Sequence, residues 1–137
     1  MNISCRCEYA CRAMVELARV EKTGEPVPAP DIADRQHIPG KYLVHILLQL
    51  KRAGLVRSVR GSQGGYILAR PPERITLHDI VRAIDGPVLE PLPVNDSHDE
   101  ELAPTWRTAA AGIVNVLEGI TLQSILDRLG GAPMFHI

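Results

Sequence analysis

Arginine and glycine residues are concentrated in the segment RSVRGSQGGYILARP, residues 57–71. Arginine side chains and the backbone amides of a glycine-rich turn both bind phosphate, so the segment fits either a nucleotide-binding loop or a β-hairpin tip that contacts DNA. A nucleotide-binding loop opens into a helix and usually carries Gly-Lys-Ser/Thr. Here no lysine follows the glycines, and strand-like YILAR comes next. We therefore expect a hairpin tip with Arg57 and Arg60 facing the phosphates of a duplex.

Thiol groups are confined to the N-terminal segment CRCEYAC, which contains Cys5, Cys7 and Cys11. Cys7 and Cys11 are one helical turn apart. They are either small hydrophobic residues of the core or a redox- or metal-responsive site, because a helix start stabilises thiolates, as do cations such as Arg6 and Arg12. No spacing of His and Cys matches a structural zinc site.

Nitrogen and oxygen ligands occur together in the acidic sequence DSHDEE, where His98 lies between Asp96 and Asp99. Such a sequence either supplies metal ligands or forms a solvated acidic loop, and the solvated loop is the more common case.

The charge of the chain is unevenly distributed. The net charge is −1, but residues 35–74 hold eight arginines and lysines against Glu73 alone, a net charge of +7. A basic middle between acidic ends is what a DNA-facing element on a neutral scaffold shows. Clustered solvated charges are the alternative explanation.

The chain shows no feature of a secreted or membrane protein. Its start lacks a basic region followed by an apolar run, which predicts no signal peptide. No apolar stretch reaches the roughly 20 residues that span a bilayer. We expect a cytoplasmic protein without membrane contact, in which three cysteines do not form a disulfide framework.

Apolar periodicity predicts the elements that carry these groups. Residues 6–20 are predicted to form a helix with Arg12, Glu16 and Arg19 on one face. Its apolar face consists of Ala10, Ala13, Met14, Leu17 and Ala18. Two further helices follow, joined by a turn of only a few residues in RQHIPG. This arrangement makes them a helix-turn-helix candidate.

The first helix of this pair is predicted over residues 29–38. The second is predicted over residues 38–54, with Gly54 as its C-cap. The buried stripe of the second helix consists of Leu43, Ile46, Leu47 and Leu50. Two short β-rich runs around the glycines form a hairpin. A helix that opens with Thr76 follows, with Asp79 three residues on as the second half of a capping box.

A later helix, from about 105 to 118, is apolar over more than one stripe. The main stripe contains Trp106, Ala110, Ile113 and Leu117, and the second contains Ala109 and Val116. A helix that is apolar over so much of its circumference must be covered on several sides. In a chain this small a second copy is the natural cover, so we expect a homodimer; burial in the chain's own core is the alternative.

Most of the chain resembles a known family. EYACRAMVELA, the run from DIADRQHIPGKYLVHILLQLKRAG through RITLHDIVRAIDGP, and LEGITLQSIL are similar to the Rrf family of bacterial transcription regulators, which includes IscR, NsrR and CymR. The similarity spans roughly residues 3–127. Its most specific part is the unbroken order of R-S-x-R-G, G-G-Y-x-L-A-R-P and I-T-L-x-D-I. The resemblance implies a homodimeric winged-helix repressor or activator that binds a partly palindromic operator in double-stranded DNA.

The resemblance places DNA contacts on the recognition helix and on or beside the wing. These contacts are Lys41, Tyr42, His45, Arg57, Ser58, Arg60, Ser62 and Gln63. The start of the helix is atypical, because family members commonly have a Ser, Thr or Asp cap and an acidic residue at the positions of Pro39 and Gly40. They commonly have Glu–Gln where this chain has Val44 and His45. The operator of a relative therefore does not transfer to this chain.

The resemblance also raises the question of a sensor. Family sensors usually hold an iron–sulfur cluster through three cysteines in the loop before the dimerisation helix. In some of them an acidic residue at the position of Glu8 completes the cluster of the partner subunit. Here the loop over residues 87–104 has no cysteine, so the usual cluster site is missing and the cofactor is unknown. An atypical iron–sulfur or metal site is a hypothesis. Its candidate residues are Cys5, Cys7, Glu8, Cys11 and His98.

We expect a mostly α-helical fold with a small β-hairpin. It consists of a winged helix-turn-helix domain over 1–86, a loop over 87–104, a dimerisation helix and a C-terminal helix over 105–129, and a tail over 130–137. The expected function is that of a sequence-specific DNA-binding repressor that is homodimeric and redox- or metal-responsive through its N-terminal cysteines. The alternative is a family member without a ligand that a protein partner controls through the acidic loop. An enzyme is not expected, because no nucleophile is paired with a base and no carboxylates are paired for acid–base catalysis.

Overall fold

The computed structural model describes residues 2–90, 94, 98 and 100–131. Within them the chain forms six α-helices and one hairpin: α1 (Cys5–Arg19), α2 (Ala29–Gln36), α3 (Gly40–Arg52), β1 (Val56–Val59), β2 (Gly65–Leu68), α4 (Leu77–Asp85), α5 (Ala103–Glu118) and α6 (Leu122–Gly131). The predicted mostly helical fold with one small hairpin is confirmed. No helix in this described part is long and apolar enough to cross a membrane.

Parts of two predicted segments lie outside the described residues. They are residues 91–93, 95–97 and 99 of the loop, which include Asp96 and Asp99, and residues 132–137 of the tail.

Helix α1 lies at the centre of the core. Ser4 caps its start, because the Ser4 Oγ atom accepts a hydrogen bond from the Cys7 amide at 3.0 Å. The apolar face includes Ala13, Met14 and Leu17, which are buried against the other helices. This face is the one that the helical periodicity predicted.

Helices α2 and α3 form the predicted helix-turn-helix. The stripe of α3 predicted to be buried is buried throughout: Leu43, Ile46, Leu47 and Leu50. His37 adopts a left-handed conformation after α2, and Gly54 does so beyond α3. Both helices therefore end before the predicted residues 38 and 54, because a left-handed residue breaks the helical hydrogen-bond pattern.

The hairpin pairs β1 with β2 in antiparallel register, from Val56 opposite Leu68 to Val59 opposite Gly65. Its tip requires glycine, because a Cβ atom on Gly64 would lie 2.2 Å from the Val59 carbonyl oxygen. The other side of β2 is held by Val27, whose backbone exchanges two hydrogen bonds of 2.9 Å with Tyr66. The hairpin is thus fixed to the segment between α1 and α2.

The three C-terminal helices, α4, α5 and α6, differ in how far they are buried. The predicted capping box at the start of α4 is present, since the Thr76 and Asp79 side chains each accept the other residue's backbone N–H. Helix α6 returns to the core, where Leu122 is buried and its amide donates to the Ile75 carbonyl at 2.8 Å. Helix α5 packs against α4, and none of its residues is buried.

Candidate nucleic-acid interface

The outward face of α3 carries the residues predicted to read bases. Lys41, Tyr42 and His45 are exposed, whereas the opposite face of the helix is buried. Lys41 and His45 are one turn apart, so both side chains project from the same side of the helix. An ammonium and an imidazole at this spacing can donate hydrogen bonds to base edges and phosphates.

The start of α3 is open to an anion. As predicted, Pro39 and Gly40 leave it without a side-chain hydrogen bond from the described residues. The N-terminus of a helix carries a partial positive charge and attracts phosphate groups. A DNA backbone placed there would accept hydrogen bonds from the first amides of α3.

Tyr42 faces a neighbour that the sequence did not reveal. Its ring centroid lies 6.4 Å from that of Tyr9 in α1, and the Lys41 ammonium lies 5.8 Å from the Tyr42 ring. Tyr42 therefore connects the recognition helix to α1 as well as standing on the exposed surface.

The exposed residues of the hairpin continue the surface of α3. Ser58, Arg60, Ser62 and Gln63 are exposed. The Lys51 ammonium near the end of α3 donates a hydrogen bond of 3.0 Å to the Ser58 hydroxyl. The recognition helix and the wing are thereby joined into one surface, rich in donors for phosphate contacts.

Arg57 occupies a different place from the other wing residues. Because side chains alternate along a strand, Arg57 points away from the side of Ser58. It lines a cavity together with Glu21 and Glu25. Arg57 is nevertheless exposed, as Arg60 is, and its predicted contact with DNA stays a prediction.

Two apolar residues on the exposed face of α3 were missed as functional candidates. Val44 and Leu48 lie outside the buried stripe and are 61% and 42% exposed. The signal was present in the sequence, because neither position belongs to the predicted buried stripe of α3.

Cys7 and Cys11 form a thiol pair near the start of α1. Cys7 is 1% exposed and Cys11 is half-buried. The Cys11 thiol hydrogen-bonds to Cys7, which lowers the pKa of Cys7 below its usual value despite burial and the nearby carboxylates of Asp85 and Glu8. The same hydrogen bond, reinforced by burial, raises the pKa of Cys11. Cys7 is therefore the thiol that ionises first.

Of the other candidate sensor residues, Glu8 lies near enough to the thiol pair to raise the pKa of both cysteines. Cys5 is exposed. Glu8 forms an ion pair of 2.8 Å with Arg12, and His98 lies 2.5 Å from Glu101 within the loop. In the part of the chain that the structure describes, no three His, Cys, Asp or Glu side chains are arranged to hold a metal ion.

Glu16 contradicts the predicted orientation of α1. The sequence placed it opposite the apolar face, but its side chain is buried. The Glu16 carboxylate accepts a hydrogen bond of 2.6 Å from the Gln36 amide and lies 3.3 Å from Arg19 and 3.8 Å from Arg35. The prediction was wrong because α2 packs over this side of α1 and supplies polar partners there.

The first turns of α1 also touch the recognition unit. The Arg6 guanidinium donates to the Gln49 side chain of α3, and the Arg12 guanidinium donates to the Gln36 carbonyl at 3.4 Å. The thiol pair therefore lies on the same helical turns that contact α2 and α3.

Helix α5 presents the apolar residues predicted to form a dimer. Trp106 is exposed, and Ala110, Ile113 and Leu117 are only half-buried. Val116, on the second stripe, is 65% exposed. Within the described part of the chain, the core therefore does not bury this helix, although burial there was the alternative explanation for its apolar stripes.

Comparisons with known proteins agree with this architecture. Residues 3–128 match the model of the Rrf2 family, described as "Iron-dependent Transcriptional regulator". An HTH-type transcriptional regulator of Mycobacterium tuberculosis is 42% identical over 144 residues, which cover 100% of this chain and 86% of the relative. The structure of T. potens IscR has a TM-score of 0.74 at 36% identity, with 94% of this chain and 88% of that chain covered. The structure of CymR, the global cysteine regulator of B. subtilis, has a TM-score of 0.75 at 31% identity, with 91% and 95% covered.

Proposed function

The chain belongs to the Rrf2 family of helix-turn-helix transcriptional regulators, and we propose that it acts as a homodimeric, sequence-specific repressor that binds DNA through α3 and the hairpin. The family consists of regulators and not of enzymes. In this scheme residues 1–86 bind DNA, and α5 pairs two copies of the chain.

The observation that carries the proposal is the continuous exposed surface of α3 and the wing. Lys41 and His45 stand at its base-reading end, Lys51 joins α3 to the hairpin, and Arg60 stands on the hairpin. The segment that contains this surface has a net charge of +7 in a chain whose total is −1. A recognition helix enters the major groove, while cations on the flanking elements bind phosphates.

The dimer is supported by the exposed apolar helix α5. An exposed tryptophan and a row of aliphatic residues on one helix are costly to leave in water. The same row on a second copy is self-complementary, as the interface of a two-fold dimer must be. Two recognition helices related by a two-fold axis read a palindromic site.

Repression is the simplest effect of such a dimer, because a protein bound across a promoter excludes other proteins from it. Transcription in vitro from a promoter that carries the selected site tests this part. Added protein should lower transcript yield, and an increase would contradict repression.

Iron does not enter the proposed mechanism. The family is described as iron-dependent, but the loop over 87–104 has no cysteine. Among the described residues no three-ligand metal set occurs, so Cys5, Glu8 and His98 do not come together with the thiol pair to hold a metal ion. The cysteine-free loop and the described side chains do not fit an iron site of the kind that the description implies.

The redox response is instead proposed for Cys7 and Cys11. The Cys7 thiolate attacks one oxygen of a hydroperoxide, the O–O bond breaks, and Cys7 becomes a sulfenic acid. The other oxygen of the hydroperoxide takes up a proton and leaves as water or an alcohol. The Cys11 thiol then attacks the sulfenic sulfur, forms the disulfide and releases water. Half-buried Cys11 leaves the pair open to small oxidants on one side.

Forming this disulfide requires a change in α1. Side chains one turn apart on a helix have Cβ atoms about 5–6 Å apart, whereas a disulfide requires about 3.5–4.5 Å. The first turns must therefore distort, and they carry Arg6 and Tyr9, which contact Gln49 and Tyr42 of the recognition helix. Oxidation would thus alter the position of α3.

Selection from a random duplex library tests the DNA-binding proposal. The purified chain should enrich a palindromic sequence, and fluorescence anisotropy should show that it binds this sequence far more tightly than a scrambled duplex. Equal affinity for both duplexes would contradict a sequence-specific regulator.

The alternative, control by a protein partner at the acidic loop, has no specific observation in its favour. Seven of the 18 residues of the loop over 87–104 lie outside the described residues, and His98 and Glu101 pair with each other.

A further inference from the structure

The exposed face of α3 has an aliphatic patch, formed by Val44 and Leu48, among its polar residues. The two residues are one helical turn apart, and both share the outer face with Lys41 and His45. Single exposed aliphatic side chains are ordinary on protein surfaces. Two on the face that meets DNA in the proposed function require a partner of their own.

None of the residues that the structure describes supplies that partner. Helix α3 packs against α1, α2, α4 and β1, and its buried stripe accounts for the side toward the core. Val44 is the more exposed of the two, at 61% against 42% for Leu48. Its side chain is short and rotationally stiff, because it is branched at Cβ. Val44 therefore presents two methyl groups at a fixed position.

The charges around the patch identify the occupant. Lys41 lies one turn before the patch, and Lys51 and Arg52 follow it, with no acidic side chain anywhere in α3. An apolar protein partner would leave these cations unpaired, whereas the major groove of DNA is lined by phosphates. The apolar group that this groove offers is the C5 methyl of thymine.

We propose that Val44, supported by Leu48, is a specificity-determining residue that reads the C5 methyl group of a thymine in the operator. The inference rests on the proposed function, because it requires α3 to lie in the major groove. Lys41 and His45 on the same face would contact the polar edges of neighbouring bases, of which guanine N7 and O6 are the acceptors that suit a donor. Val44 then supplies the discrimination that hydrogen bonding alone does not.

Replacement of thymine by deoxyuridine tests this inference, because it removes only the C5 methyl. In the sequence enriched by the wild-type chain, each duplex carries deoxyuridine at one thymine position and at the symmetry-related position of the other half-site. One replacement should weaken binding about fourfold per half-site, the effect of losing one buried methyl contact. The remaining replacements should leave the affinity unchanged.

Val44→Ala identifies the residue responsible. This variant should bind the thymine and uracil forms of the sensitive position equally, since the partner of the methyl group is gone. Leu129→Ala, an equally simple truncation at an exposed residue of α6, should retain the wild-type difference.

The possible failures are distinguishable. A chain that enriches no sequence overturns the proposed function and this inference with it. An enriched sequence whose uracil forms all bind like the thymine form overturns the inference alone. A methyl effect that persists in Val44→Ala assigns the reading to another residue and also overturns it.

Discussion

Glu16 Oε1 accepts a hydrogen bond of 2.6 Å from Gln36 Nε2 and so ties α1 to the end of α2. Glu16 is only 4% exposed, and Arg19 and Arg35 flank its carboxylate at 3.3 and 3.8 Å. A buried carboxylate is tolerated where hydrogen bonds and cations satisfy it. The first half of the helix-turn-helix is therefore held to the core by a polar contact as well as by apolar packing.

Glu16→Ala should destabilise the fold, because it leaves the Gln36 amide without its acceptor and separates α2 from α1. Loss of a buried hydrogen-bond partner costs about 1–3 kcal/mol. The free energy of unfolding in urea, followed by circular dichroism, measures the effect. Glu25→Ala, at an exposed carboxylate, should change stability by less than about 0.5 kcal/mol. Equal stability of the two variants would show that the contact contributes nothing.

Local patterns made much of this fold predictable. The stripe of Leu43, Ile46, Leu47 and Leu50 and the capping box of Thr76 and Asp79 depend on residues close in sequence, and both are present. Such features follow from helical periodicity and from the hydrogen-bonding needs of helix ends.

Features that depend on distant packing were not predictable. The burial of Glu16 results from the docking of α2, and the direction of Tyr42 results from the position of Tyr9 in another helix. The cavity shared by Arg57 with two glutamates depends on how the hairpin lies beside the end of α1. Sequence spacing identified the candidate residues but not their neighbours.

Arg60→Ala should weaken DNA binding for every sequence alike, because a phosphate contact carries no base information. The slope of log affinity against log salt should fall by about one unit for the lost contact. Fluorescence anisotropy at several salt concentrations measures both quantities. Arg128→Ala removes an exposed arginine from α6 and should change neither. An unchanged salt slope in Arg60→Ala would remove this residue from the interface.

Ile113→Asp should separate the proposed dimer into monomers. Ile113 lies on the apolar stripe of α5 with Trp106 and Leu117, and a carboxylate there would have to be buried without a partner. Sedimentation velocity measures the mass in solution. Leu129→Asp, at an exposed apolar residue of α6, should leave the dimer intact. A dimer that survives Ile113→Asp would place the interface elsewhere.

Hydroperoxide treatment should weaken operator binding of the wild-type chain and form a disulfide between Cys7 and Cys11. Mass spectrometry of unreduced peptides identifies the bond, and anisotropy before and after reduction with dithiothreitol measures its effect. Cys5→Ser should respond like the wild type, because Cys5 is exposed and outside the pair. Cys11→Ser cannot form the bond and should keep its affinity after oxidation and reduction. Identical binding by oxidised and reduced wild-type chain would rule out the switch.

The pH at which Cys7 becomes reactive toward an alkylating agent should depend on Cys11. Only the thiolate reacts, so the rate rises as the pH passes through the pKa of Cys7, which the Cys11 hydrogen bond lowers. Cys11→Ala removes this donor, and the rise should therefore move to higher pH. Cys11→Ser keeps an O–H donor at the same position, so the rise in rate should move to higher pH by a smaller amount. The rates are measured by mass spectrometry after brief treatment with iodoacetamide from pH 5 to 10. Coincident profiles for the wild type and Cys11→Ala would mean that Cys11 does not activate Cys7, and the first step of the proposed oxidation would lose its physical basis.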